Sequence, residues 1–408
     1  MGGSINQLIN SLGNTYRQAY SGLPREVWAF SLITLLNRCG TMALVFFVLY
    51  LTNVYDFSNH EAGLVISLSG VGGILGALVG GWASDRFGAI PSQIVFLVLV
   101  ALQFGLLVFA KTRIEIGMCL FVLVFFNEAV RPGLHAACLD YCNEDNQKRA
   151  MGLLRLMINL GMSIGPVVGG FLAEYELWDW LFLVDGVTCL VTAVLLFLMF
   201  GLKPATLASK RSPGKDAQVQ GGSPWKDLKL LKFGLFYLMT LVVFVQVNST
   251  YVKYLEEVYW FSESRIGLIT AVNPLVIVLL EMVIIQVVQR HSTLKTIAVG
   301  SFLICLGFGL LPFGTSSVFC VMTVLVWTAG EILAFPMASV YVVELSQGNN
   351  RGRYMGFITV LFSVSMIIGP VAGLALYEIS QHLPWYLALG IGGFSGIGLW
   401  RMATSTVR

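Results

Sequence analysis

The chain is 408 residues long, 56% apolar and only 12% charged, with a formal net charge of +3. So few charges cannot cover the surface of a soluble fold of this length, which excludes a water-soluble enzyme or binding domain and makes the bilayer the solvent. The small basic excess sits in loops on one face, so no nucleic-acid partner is expected.

Residues 1–26 carry Asn6, Gln7, Asn14, Arg17 and Arg25, too polar for a secretory signal, and no small-residue cleavage site follows the first apolar run. They are expected to form a cytoplasmic N-terminal segment ahead of a retained span. About 20 apolar residues cross the roughly 30 Å of hydrocarbon as a helix. Twelve such spans can be placed near 27–52, 61–83, 91–110, 115–139, 151–173, 179–201, 233–254, 264–289, 295–314, 317–343, 353–377 and 384–402. Residues 202–232 form the only long polar stretch, rich in Pro, Gly, Ser and basic residues, and are expected to link the bundles 27–201 and 233–402, with 403–408 as a cytoplasmic tail. Within the linker, Trp225, Lys226, Lys229 and Lys232 suggest a short amphipathic helix at the headgroup level. Of 25 Lys and Arg, 18 fall on the side of the termini and four (Lys111, Arg113, Lys253, Arg265) on the other. The positive-inside rule then places both termini in the cytoplasm of a multi-pass inner-membrane protein, expected to be a monomer.

Seven cysteines, most of them inside spans (Cys39, Cys119, Cys138, Cys189, Cys305, Cys320), have no metal-ligand spacing and read as small packing residues, so neither a disulfide nor a metal site is expected. His135 has no ligand partner at i+4.

Residues 132–172 recur at 336–376 with a constant offset of 204. Pro132 matches Pro336, Arg149 matches Arg353, Met151-Gly152 match Met355-Gly356, and Ile164-Gly165-Pro166-Val167 match Ile368-Gly369-Pro370-Val371. Gly169 and Leu172 fall on Gly373 and Leu376. An offset of half the chain, in so apolar a sequence, means two similar membrane-embedded halves, and parallel halves of this kind enclose a site near the bilayer midplane. Transport is therefore the first expectation.

Between spans two and three lies Gly81-Trp82-Ala83-Ser84-Asp85-Arg86-Phe87-Gly88, in which Gly80 and Gly81 allow close helix approach, Asp85 can pair with a cation or cap a helix, and Gly88 permits a tight turn. An ordinary tight loop would also use these residues. With the twelve-span layout, the stretch resembles the signature loop of the major facilitator superfamily, although Ala89-Ile90-Pro91 replace the basic residues that usually follow. The resemblance implies an all-α membrane protein of two pseudo-symmetric six-helix bundles around a central cavity. The offset carries Arg86 to Arg290, where Gln289-Arg290-His291 lacks the acidic residue. In span five, Gly161, Gly165-Pro166 and Gly169-Gly170 suit a tight, bent helix interface. They are also similar to the Gly-Pro motif of proton-driven antiporters in this superfamily, repeated in shorter form at Gly369-Pro370.

Charged residues inside spans are costly and therefore functional hypotheses. They are Arg38 in span one, Glu128 and Arg131 in span four, Arg155 in span five, Asp185 in span six, Glu281 in span eight and Glu331 in span ten. The resemblance implies that spans one, four, seven and ten line the cavity, which makes Arg38, Arg131 and Asn37, with Gln246 and Asn248 of span seven, candidate substrate contacts. Glu128 and Arg131, at i and i+3, can pair on one helix face, either as a helix-orienting ion pair or as part of the site. Glu331 has no cation in its own span, and burial penalises its charged form. It is the leading proton-exchange candidate, helped by Glu128, and is expected to alternate between neutrality and pairing with Arg38 or Arg131. A permanently hydrogen-bonded packing acid is the structural alternative. Asp185 and Glu281 are expected in structural networks, while Arg155, one turn into span five, can snorkel.

Asn37-Arg38-Cys39-Gly40 stands where proton-coupled oligopeptide transporters carry Glu-Arg-Phe, and Asn37 in place of the acid argues against that branch's mechanism. The functional expectation is a proton-coupled exporter of small organic molecules, driven by the proton gradient without a cofactor. The alternative is a symporter for an anionic or zwitterionic metabolite such as an amino acid, peptide, carboxylate or siderophore-like molecule, favoured by the two arginines. A non-transporting receptor or membrane enzyme is a distant third, since no Walker, GxSxG or dinucleotide motif has a soluble domain to carry it.

Overall fold

A computed structural model describes residues 20–143, 146–202, 223–288, 290–346 and 351–405. Residues 1–19 of the N-terminal segment, 203–222 of the linker and 406–408 of the tail lie outside the described residues, as does Gln289. Among the described residues every regular element is helical: α1 (Arg25–Cys39), α2 (Ala43–Leu49), α3 (Asn59–Phe87), α4 (Ala89–Phe109), α5 (Arg113–Asp140), α6 (Gln147–Glu174), α7 (Trp178–Phe200), α8 (Leu228–Phe244), α9 (Thr250–Glu257), α10 (Glu263–Val288), α11 (Thr293–Gly309), α12 (Ser317–Leu345), α13 (Arg351–Ile379) and α14 (Leu383–Ser405). Nine described stretches meet the length and apolarity needed to cross a bilayer. Helices α5, α11 and α14 occupy the remaining three expected intervals, α11 being the shortest at 17 residues.

Helix starts are set by local side chains. Ser58 and Glu61 form a capping box on α3, Thr112 and Glu115 form one on α5, and Asp227 accepts from the backbone N–H groups of Lys229 and Leu230 at the start of α8. Two sequence expectations are corrected here. The stretch 81–88 is not a loop: α3 runs through it to Phe87, and Gly88, with φ of +97°, alone joins α3 to α4. The amphipathic helix expected around Trp225 is a single 3-10 turn, Pro224–Lys226, and Lys229 and Lys232 belong to the first turns of α8.

Spans one and seven are each broken near mid-length, between α1 and α2 at residues 40–42 and between α8 and α9 at residues 245–249. The repeat offset carries Thr41 onto Val245, so the two breaks are equivalent positions of the two halves. A break frees backbone donors that hydrocarbon cannot satisfy. In the first half Asp185 of α7, fully buried, accepts from the backbone N–H of Ala43 at 2.9 Å and of Met42 at 3.2 Å. In the second half the buried Gln246 lies within the break, donating to the Gly369 carbonyl at 2.8 Å and accepting from the Thr250 hydroxyl.

The halves meet through α6 against α10 and α3 against α13. These two interfaces repeat one device. A Cβ on Gly63 would lie 3.0 Å from the Pro370 carbonyl oxygen, and one on Gly267, its repeat partner, would sit far inside van der Waals distance of the Pro166 carbonyl oxygen. Each half thus seats a glycine on the proline carbonyl of the other. Within the first half, Gly161, Gly165 and Gly169 press α6 onto span one, where added Cβ atoms would fall 2.5 Å from Arg38 Cβ, 3.0 Å from the Cys39 carbonyl and 2.7 Å from Met42 Cβ. Gly369 and Gly373 press α13 onto Val245 and Gln246 in the same way. Gly80, against the Ala129 carbonyl, makes the close approach expected of this region, whereas Gly81 has open space before it.

Candidate functional site

Away from the termini the halves are closed. Asn53, at the end of span one, donates to Glu256 of α9 and accepts from Lys253 Nζ at 3.2 Å, and Lys253 is paired with Glu256 at 2.8 Å and Glu257 at 3.0 Å. Tyr377 donates to Glu257 at 2.7 Å, and the backbone N–H of His60 donates to Glu378 at 2.7 Å. Toward the termini, α5 and α12 do not pack along one another. On that side the halves are bridged instead by Arg155 of α6 and Glu281 of α10 at 2.7 Å.

The Arg131 guanidinium lies 2.9 Å from the Glu128 carboxylate, and these two side chains are 50% and 28% exposed in the middle of a long helix, with the Glu128 stem against Gly73 of α3. Arg38, in the last turn of α1 just before the break, lies within electrostatic reach of both, and its buried Nε has no hydrogen-bond partner. His135 completes this group electrostatically. Asn37 turns instead toward α7, its amide 3.5 Å from Cys189 Sγ. Asn248 is exposed at the break in span seven, but Gln246 is corrected: both ends of its amide are used to bind α13 and close the break, so it is not free to meet a substrate.

Glu331 stands apart from the arginines. It is 9% exposed on α12, and its Oε2 accepts from the Asn273 amide of α10 at 2.8 Å. The same amide reaches Thr328 Oγ1 at 3.1 Å. Glu331 forms no ion pair with Arg38 or Arg131 in this conformation, contrary to the expected alternation partners. Two turns along α10, Glu281 meets Arg155 of α6 at 2.7 Å, so Arg155, with its side chain 42% exposed, is engaged across the half interface. Asn273 and Thr328 were not singled out from sequence, because a neutral amide or hydroxyl in an apolar run carries no signal of its partner. Lys253, counted on the side away from the termini, has acids at i+3 and i+4, Glu256 and Glu257, a readable sign of a helical cluster. In the 81–88 stretch, Arg86 stacks over Trp82 and Phe87 at 5.5 and 5.6 Å, and Asp85 is exposed without a partner among the described residues.

Two broken spans at equivalent positions, glycine-seated half interfaces and charged side chains at mid-depth are features of a multi-pass membrane transporter. The chain belongs to the major facilitator superfamily, whose model matches residues 30–331 and 246–407. It is 25% identical over 390 residues to the MFS-type transporter YqjV of Bacillus subtilis, covering 91% of each chain. It is 21% identical to multidrug resistance protein 2 of the same organism, over 85% of this chain and 87% of that protein. A POT family transporter solved in complex with 5-aminolevulinic acid superposes with a TM-score of 0.78 at 15% identity, over 95% of this chain and 98% of the other, a likeness of fold.

Proposed function

We propose that the protein exports small organic molecules from the cytoplasm in exchange for protons, by alternating access of the two halves. The observation that carries this reading is Glu331, a carboxyl buried at mid-depth whose hydrogen-bond donor is a neutral amide rather than a cation. Such a group exchanges a proton at low cost when its surroundings change. Resemblance in sequence to a multidrug resistance protein favours export over uptake. Glu128 serves as the second acid, beside Arg131. The protein acts as a monomer in the inner membrane with both termini in the cytoplasm. No cofactor takes part. The decisive experiment is transport by purified protein in liposomes against a panel of drugs and metabolites, with and without an imposed pH gradient; flux indifferent to the gradient across the panel sinks the reading.

Alternating access requires the outer contact between Asn53 and Glu256 to break in every cycle. Cysteines at both positions, in a background without the seven native ones, are expected to abolish transport when bridged by a short bifunctional thiol reagent and to restore it on reduction. Full transport with the bridge closed would show that this end need not open.

A second reading, uptake of an anion or zwitterion with protons, is favoured by the half-exposed Arg131 and the unpartnered Nε of Arg38. A guanidinium binds a carboxylate through a planar fork that an ammonium cannot copy. For an anionic substrate, Arg38→Ala is expected to weaken binding by about 2 to 5 kcal/mol and Arg38→Lys to rescue it only in part. If Arg38→Ala leaves anions unaffected and improves transport of lipophilic cations, the symporter reading fails and Arg38 acts as a charge filter in an exporter.

A further inference from the structure

Resting on the proton-exchange role given to Glu331, we infer that Glu281 is the relay through which that proton reaches the cytoplasm, with Arg155 as the positioning residue that gates it. Asn273, Ile277 and Glu281 recur at i, i+4 and i+8 and so share one face of α10. The first holds Glu331. The last lies about 12 Å nearer the cytoplasm along the helix. From Ile277, one turn from Asn273, toward the cytoplasm, α6 and α10 border a cavity of about 290 Å³ lined among others by Lys148, Arg155, Asn159, Ile277 and Glu281. Its lining is mostly apolar, but Arg155, Asn159 and Glu281 give water polar partners, and the volume holds several waters at about 30 Å³ of liquid volume each.

The chemistry of the pair suits a relay better than a strut. Arg155 Nη2 is 2.7 Å from Glu281 Oε1, but the contact is off the hydrogen-bond line, and that buried oxygen has no hydrogen-bond partner. Arg155 also acts electrostatically on Glu331, as does Glu281. One guanidinium therefore serves two carboxyl groups. The other groups facing this region are Tyr237 of α8, within electrostatic reach of Glu331, Lys148 and Arg149 at the cytoplasmic mouth, and the Tyr20 hydroxyl on Met282 Sδ at 3.4 Å. None of them is a second acid.

The transfer balances one proton. The Glu331 carboxyl gives its proton to water that enters from the cavity past Ile277, and water passes one to the Glu281 carboxylate. Glu281, now neutral, releases Arg155, whose charge is free to act on the newly ionised Glu331. Glu281 then gives the proton to bulk water and pairs with Arg155 again. The exchange leaves the buried region with the same net charge while the proton resides on either acid.

Infrared difference spectroscopy on the full chain in liposomes, after a pH jump, tests this without a known substrate. The protonated-carboxyl band that disappears in E331Q is the signal of Glu331, and its absence from the unmodified protein would overturn the Glu331 reading and this inference together. Given that band, E281Q is expected to slow its loss at least tenfold, with Glu281→Asp restoring most of the rate. Since E281Q strands the Arg155 charge, the double variant R155Q/E281Q, which leaves a neutral pair of similar shape, is measured alongside, with helical circular dichroism as the folding control. The double variant is expected to be as slow as E281Q. An unchanged rate in the folded double variant, with the Glu331 band present, overturns the relay and leaves Glu331's own role standing.

Discussion

Replacing Glu331 with glutamine is expected to lower gradient-driven flux of a transported panel compound by tenfold or more while leaving its equilibrium exchange across the membrane nearly intact. Gln copies the protonated acid in shape, and its amide oxygen can still accept from the Asn273 amide that holds Glu331. What it cannot do is release a proton, so the step that requires an ionised carboxyl is lost while steps that carry substrate with the acid neutral continue. Parallel measurements of gradient-driven uptake and of counterflow in one liposome preparation separate the two. Undiminished gradient-driven uptake removes Glu331 from the coupling mechanism, and loss of both activities assigns it to substrate binding or folding instead.

The half interfaces give the second large effect. Gly267→Ala is expected to impair transport severely, because the new methyl meets the rigid Pro166 backbone at the seam where α6 and α10 must move against each other. Gly63→Ala, at the equivalent place, meets the Pro370 carbonyl at 3.0 Å, a distance that a shift of a few tenths of an ångström relieves. Overpacking typically costs about 1 to 3 kcal/mol. The first substitution should fall at the top of that range or beyond and the second near the bottom. Initial transport rates and thermal unfolding in detergent, measured for both variants, check the ordering. Equal sensitivity of the two sites would mean that the tighter contact at Gly267 relaxes without consequence.

Much of this was legible in the sequence. The repeat of 204 residues declared two halves, and apolar runs placed every span within a few residues of a described helix. Gly161, Gly165 and Gly169 were readable as a close-packing face. Their partner was not, since nothing local says that they press on Arg38, Cys39 and Met42. The same limit explains Gln246. In a nearly uniform apolar helix, composition does not fix rotation about the axis, so a polar side chain in a cavity-lining span reads as cavity-facing whether or not a backbone break claims it. The partnership of Glu331 with Asn273 was hidden for a related reason. A search for opposite charges pointed to Arg38 and Arg131, and the structure answered with a neutral amide on another span.

The two breaks in spans one and seven bear on the ancestry of the halves. At the first a carboxylate borrowed from α7 takes the freed backbone donors, whereas at the second an amide within the break reaches the carbonyls of Val242 and Gly369 and the Thr250 hydroxyl. The repeat offset carries Asp185 onto Leu389, which packs by Gly309 and offers no acceptor at all. The copies have kept the interruption and exchanged the means of tolerating it, so what duplication preserved here is a place where the helix must bend. A chimera made of two first halves would inherit two buried acids, and one of two second halves would have none at either break, which makes the present pairing of unlike halves a property of the charge inventory as much as of shape.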